Sequence, residues 1–135
     1  MAKSKKTPKR KLKVIAVTLR HDMKWVVPFV WAVCEKYERT VGDIFRRAFS
    51  THFANRPGEG FVGGVGSKRR DLSRFWFTIP KQMEWMSEAL DAEATRQNLS
   101  PCVIMFIAFC EVYGKEFPEL SKLYQAWKNV NAEAA

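Results

Sequence analysis

The sequence predicts a mainly α-helical protein with one two-stranded antiparallel ribbon, built from two strand-helix-helix copies folded on each other within one chain. Three observations predict it. The chain matches itself at a shift of 60 residues, each copy opens on a short alternating segment, and two helical stretches follow at equal spacing in both. A lone strand with two short helices leaves its apolar face and both strand edges uncovered. Pairing the two strands over four helices covers the apolar face and gives each strand a partner.

The repeat is read first because it sets everything else. The shift aligns Leu12 with Leu72, Thr18 with Thr78, Met23 with Met83 and Trp25 with Trp85. It continues through Ala32 and Ala92, Ile44 and Ile104, Ala48 and Ala108, Phe49 and Phe109. Conservative pairs such as Val17/Phe77, Leu19/Ile79, Thr40/Ser100 and Phe53/Tyr113 fill the intervals without a gap.

In the first strand Ile15, Val17 and Leu19 alternate with Val14, Ala16 and Thr18. In the second, Phe75, Phe77 and Ile79 alternate with Arg74, Trp76 and Thr78. Period-two alternation of β-branched and aromatic residues argues half-buried strands, the first set of each inward. Helical spacing follows at Met83, Met86, Leu90 and Ala94. Pro80 suits the first turn of that helix, where an N–H is not needed. Asp22 is placed to cap the corresponding helix of copy one, and Pro28 inside it predicts a kink or a late start.

The second helices open on hydroxyl caps, Thr40 and Ser100, each 22 residues beyond its strand threonine. Asp43, three residues after Thr40, makes a near capping box. Apolar residues follow at Ile44, Phe45, Ala48 and Phe49, and at Ile104, Met105, Ala108 and Phe109. Gly114 is placed to end the second copy.

The chain therefore divides into a basic flexible arm (1–13), copy one (14–53), a Gly-rich basic connector (54–72), copy two (73–117) and a last helix (118–135). Five of the seven glycines, Gly58, Gly60, Gly63, Gly64 and Gly66, fall in the connector and predict flexibility. In the last helix Leu120, Leu123, Tyr124 and Trp127 form a stripe expected to pack on the core.

The net charge of +9 is uneven. Residues 1–13 carry seven bases and no acid, 14–73 ten bases against six acids, and 74–135 six against eight. A basic arm on a near-neutral body is the footprint of phosphate binding, the alternative being a solvated tail. Cys34, Cys102 and Cys110 have no CxxC pairing and read as reduced, buried thiols. His21 and His52 lie far apart, so no metal site is expected. No nucleophile–base set stands at usable spacing, and Gly-Phe-Val-Gly-Gly-Val-Gly neither follows a clear strand nor opens a helix. The chain is accordingly read as no enzyme, with no cofactor. Its longest apolar run, Cys102 to Cys110, is short of the ~20 residues of a membrane span. No export signal is recognised, which reads as a cytoplasmic protein.

The segment from Arg74 to Tyr113, with its Phe-Trp-Phe-Thr-Ile-Pro strand and Asn-Leu-Ser-Pro turn, resembles the single-repeat repressors of the ribbon-helix-helix class. Two copies over about residues 12–115 are similar to the tandem members that assist plasmid conjugation and T-DNA transfer. That resemblance implies a monomeric, intramolecular pseudo-dimer whose partner is double-stranded DNA. Further assembly on DNA, and other transfer-complex proteins as partners, would follow. The implied role is a DNA-binding accessory of transfer; a plasmid or phage transcriptional repressor is the alternative within the class. A protein–protein adaptor, binding through an apolar ribbon face, is the alternative outside it.

A two-stranded ribbon fits the major groove, so the candidate base contacts are Val14, Ala16, Thr18, Arg74, Trp76 and Thr78. Arg74 matches guanine O6 and N7, while Val14 and Ala16 match thymine methyls; Trp76 either reads DNA or packs beneath the connector or last helix. Candidate phosphate contacts are Lys3, Lys5, Lys6, Lys9, Arg10, Lys11 and Lys13 of the arm, and Lys68, Arg69 and Arg70 of the connector. The helix N-termini at Thr40, Val41, Gly42 and Ser100 would add backbone N–H groups. Pro101 lacks an N–H at the second of these, and copy two is slightly acidic, so contact is expected to lean on copy one.

Overall fold

Alternating apolar and polar side chains let two segments share one dry face, and here they do so side by side. β1 (Lys13–Thr18) pairs antiparallel with β2 (Arg74–Ile79) in a two-stranded ribbon. The structure, a computed structural model, describes residues 13–62 and 74–134. Among these residues five helices accompany the ribbon: α1 (Val27–Tyr37), α2 (Val41–His52), α3 (Trp85–Gln97), α4 (Pro101–Tyr113) and α5 (Pro118–Ala134). Short 3-10 stretches, His21–Val26 and Lys81–Met83, lead into α1 and α3.

Ile15, Val17, Phe75, Phe77 and Ile79 are buried, while Val14, Ala16, Thr18, Arg74, Trp76 and Thr78 are exposed. Beneath the ribbon α2 and α4 pack on each other, α2 also meeting β2 and α4 meeting β1. Phe45 joins these layers, its ring centroid 5.7 Å from Phe75, 5.9 Å from Phe77 and 5.5 Å from Phe109. Tyr113 then donates its hydroxyl to the Ile44 carbonyl at 3.0 Å, a bond from α4 to α2 that satisfies a buried phenol. In α5, Leu120 and Tyr124 are buried, but Leu123 faces solvent, so the expected stripe is only partly covered.

The register carries the 60-residue shift into space. Ala16 stands opposite Trp76, and the neighbouring pairs Ile15–Phe77 and Val17–Phe75 exchange under the shift. The ladder is therefore centred on two positions 60 apart. The same shift relates backbone bonds: Met23 N–H donates to Arg20 O and Met83 N–H to Pro80 O, both at 2.9 Å. It relates Arg39 N–H to Cys34 O with Leu99 N–H to Ala94 O, where α1 and α3 end on left-handed Glu38 (φ 54) and Asn98 (φ 56). Thr40 Oγ1 accepts the Asp43 N–H at 3.1 Å, and Ser100 Oγ the Val103 N–H at 3.3 Å.

Three local expectations are corrected, and the late start expected at Pro28 is met. Asp22 caps no helix: the chain enters on a 3-10 stretch, and Asp22 instead accepts the Trp127 indole N–H at 3.0 Å. Pro28 sits in the first turn of α1, which therefore starts late, where a missing N–H costs nothing. Pro80 is extended (ψ 160) and precedes its helical stretch. The connector is not slack over residues 54–62. Arg56 N–H donates to Ser50 O at 2.7 Å, and Val62 N–H donates to Asp43 Oδ1 at 2.9 Å. Gly63, Gly64, Gly66 and the residues 1–12 of the arm lie outside the described residues.

Candidate nucleic-acid interface

Because strand side chains alternate, the six exposed residues of β1 and β2 share one face of the ribbon. The register arranges them as Val14 beside Thr78, Ala16 beside Trp76, and Thr18 beside Arg74. Val14 is 56% and Trp76 55% exposed, so the indole packs beneath neither the described part of the connector nor α5. Arg74 Nε donates to Thr18 Oγ1 at 2.8 Å, and its guanidinium carbon lies 5.6 Å from the Trp76 ring centroid.

The backbone below is held from inside. Arg46 Nη1 donates to Thr78 O at 2.7 Å, and Cys102 Sγ to Ala16 O at 3.2 Å. Arg46 is itself buried and paired with buried Asp43, Nη2 to Oδ1 at 2.6 Å, while its Nε reaches Gly60 O at 3.2 Å. Arg47 Nε donates to Glu59 O at 2.9 Å, and its guanidinium lies 3.8 Å from the Phe61 ring centroid. Connector, α2 and β2 thus meet at one buried ion pair. By sequence Asp43 is expected only at a cap. An acid three residues before an arginine on one helix face was the available signal, and surface pairs give the same signal.

The two helix N-termini differ. Val41 and Gly42, expected at a phosphate surface, are buried instead. A Cβ on Gly42 would lie 2.7 Å from Phe77 Cβ and 2.8 Å from Arg46 Nη1, so this turn is pressed against β2. Thr40 is half-buried, and Ser100, at the start of α4, is exposed. Lys13 Nζ donates to Ser87 Oγ at 2.6 Å and lies 3.9 Å from Asp91, which ties it to α3. Lys3, Lys5, Lys6, Lys9, Arg10, Lys11, Lys68, Arg69 and Arg70 fall outside the described residues.

Of the cysteines, Cys34 and Cys110 are buried, whereas Cys102 is half-buried against β1. Burial, with Asp43 nearby, pushes the Cys34 thiol up to about 12, and burial raises Cys110 too, so neither supplies a thiolate at neutral pH. No helix among the described residues is long and apolar enough to cross a membrane. No known protein family, curated protein or solved structure matches this chain.

Proposed function

We propose that this chain binds double-stranded DNA, its two ribbon-helix-helix repeats folded as a pseudo-dimer that sets β1 and β2 in the major groove. One observation carries the reading: a single exposed ribbon face bears Arg74, Thr18 and Thr78 on a chain of net charge +9. The centring of the ladder on Ala16 and Trp76 supports the pseudo-dimer. Thr18 holds Arg74 through Nε, and the two Nη groups are the donors offered to guanine O6 and N7. Val14 and Ala16 meet thymine methyls. The arm, Lys68 to Arg70 and the start of α4 at Ser100 neutralise or bond phosphates. The role is that of an accessory to conjugative or T-DNA transfer in the cytoplasm; a repressor at an operator would use the same contacts.

A second reading is favoured by the exposure of Val14 and Trp76: an adaptor whose apolar ribbon binds a protein. Titrating a labelled duplex of arbitrary sequence at several salt concentrations separates the two. For DNA binding, log affinity falls linearly with log salt. Absence of duplex binding even at low salt refutes the proposal and leaves the adaptor.

A further inference from the structure

The outer face of the ribbon differs at its two ends. The 60-residue shift exchanges the pairs Val14–Thr78 and Thr18–Arg74 and maps Ala16–Trp76 onto itself. Under that exchange threonine replaces threonine, but arginine replaces valine and tryptophan replaces alanine. A ribbon of two identical strands would be alike at both ends by symmetry. This one has an apolar end, a cationic end and a single indole at the centre.

The asymmetry is built rather than left to loose side chains. Thr18, across the ladder, takes the Nε of Arg74 at 2.8 Å, and the guanidinium carbon lies 5.6 Å from the Trp76 ring centroid. Cation and ring therefore form one unit displaced to one side of the centre. Opposite Trp76 the small Ala16 leaves room that a second large side chain would fill.

Resting on the DNA-binding reading, we infer that the ribbon reads a non-palindromic duplex and docks on it in one orientation. Arg74 sits over a guanine on one side of the centre, and Val14 over a thymine methyl on the other. Trp76 lies against a thymine methyl at the centre. Reversing the protein carries the guanidinium to a thymine edge with one acceptor and sets valine against two unpaired guanine acceptors. The guanine contact alone is worth about five- to a hundredfold in affinity.

The experiment selects duplexes from a randomised pool with the full chain and with two variants at exposed positions. Arg74→Val makes both outer pairs Val beside Thr; Val14→Arg makes both Arg beside Thr. Circular dichroism checks that each variant keeps its fold. Wild type enriches a motif with guanine on one side only, and discriminates against its A·T replacement by about five- to a hundredfold. Arg74→Val loses that discrimination, and Val14→Arg acquires guanine on both sides. Replacing the central thymine by uracil weakens wild type but not Trp76→Ala; equal weakening of both overturns the placement of Trp76. A wild-type motif with matching outer positions overturns the inference while leaving DNA binding intact. Duplex retained at low salt without an enriched motif overturns the inference alone. A pool from which no duplex is retained at low salt overturns DNA binding, and the inference with it.

Discussion

Asp43 Oδ1 lies 2.6 Å from Arg46 Nη2 in α2, with both residues buried. Both also reach other segments: Asp43 Oδ1 accepts from Val62 N–H, its Oδ2 lies 3.8 Å from Arg39 Nη1, and Arg46 donates to Gly60 O and Thr78 O. A buried pair in direct contact is tolerated, but removing either partner leaves the other charge buried without its direct counter-charge. Asp43→Ala and Arg46→Met should each cost about 3–5 kcal/mol of unfolding free energy in urea titrations. The double variant should cost clearly less than the two singles together. Additive losses would show that the two side chains act independently.

Stability should fall at both extremes of pH through one cluster. The Tyr37 hydroxyl donates to Glu116, Oε1 at 2.6 Å and Oε2 at 2.5 Å, and Lys36 Nζ donates to Oε1 at 2.5 Å. Burial pushes Tyr37 up to about 12, reinforced by the bond to Glu116. Burial also raises Tyr113 and Tyr124. For Glu116 burial pushes upward too, but the bonds from Lys36 and Tyr37 outweigh it and hold the carboxyl below its usual range. A raised phenol contributes stability fully below its unfolded value near 10.0, lost as pH climbs through the folded value. A lowered carboxyl contributes above its unfolded value, lost as pH falls through the folded one. Urea midpoints should therefore hold through neutral pH and drop above about 10. Tyr37→Phe should soften both the alkaline and the acid loss. An unchanged alkaline limb in that variant would assign the loss to Tyr113 and Tyr124 alone.

The two faces of β2 predict opposite phenotypes. Arg74→Ala should cost about 1–3 kcal/mol in binding a selected duplex and leave melting nearly unchanged. Phe77→Ala removes a buried ring stacked on Phe45 and should cost about 3–5 kcal/mol of folding stability. Melting curves and binding isotherms on the two variants decide it. A melting loss for Arg74→Ala comparable to that of Phe77→Ala contradicts the outward placement.

Deleting residues 1–12 removes Lys3, Lys5, Lys6, Lys9, Arg10 and Lys11 while leaving β1 whole. Binding to every duplex should weaken alike, and the slope of log affinity against log salt should flatten. A changed sequence preference with an unchanged slope would make the arm a reader of bases.

Local patterns were legible in the sequence. Inward and outward residues of β1 and β2 follow from alternation alone, and the equal spacing to Thr40 and Ser100 foretold two matching helix starts. What escaped depended on distant partners. Arg46 takes its place from Thr78, 32 residues away, and from Gly60, 14 residues away. Glycines in the connector read as slack, yet Gly60 is buried at φ +122, where a Cβ would come within 2.4 Å of the Arg47 nitrogen. Only glycine allows that close approach, and composition does not distinguish a glycine chosen for contact from one chosen for freedom. Pro28 was read correctly as a disturbance, but the 3-10 entry that absorbs it was not foreseen.

The ribbon closes within one polypeptide, β1 meeting β2 without a second molecule. A ribbon shared between two chains comes apart on dilution, because mass action governs its assembly. Closing this ribbon is a step within one molecule, so the pairing of β1 with β2 does not itself depend on how many copies a compartment holds. Joining them also uncouples their inheritance. In a dimer of identical chains one codon change alters both strands at once, whereas here Val14 and Arg74 drift separately, and each end of the face is free to specialise.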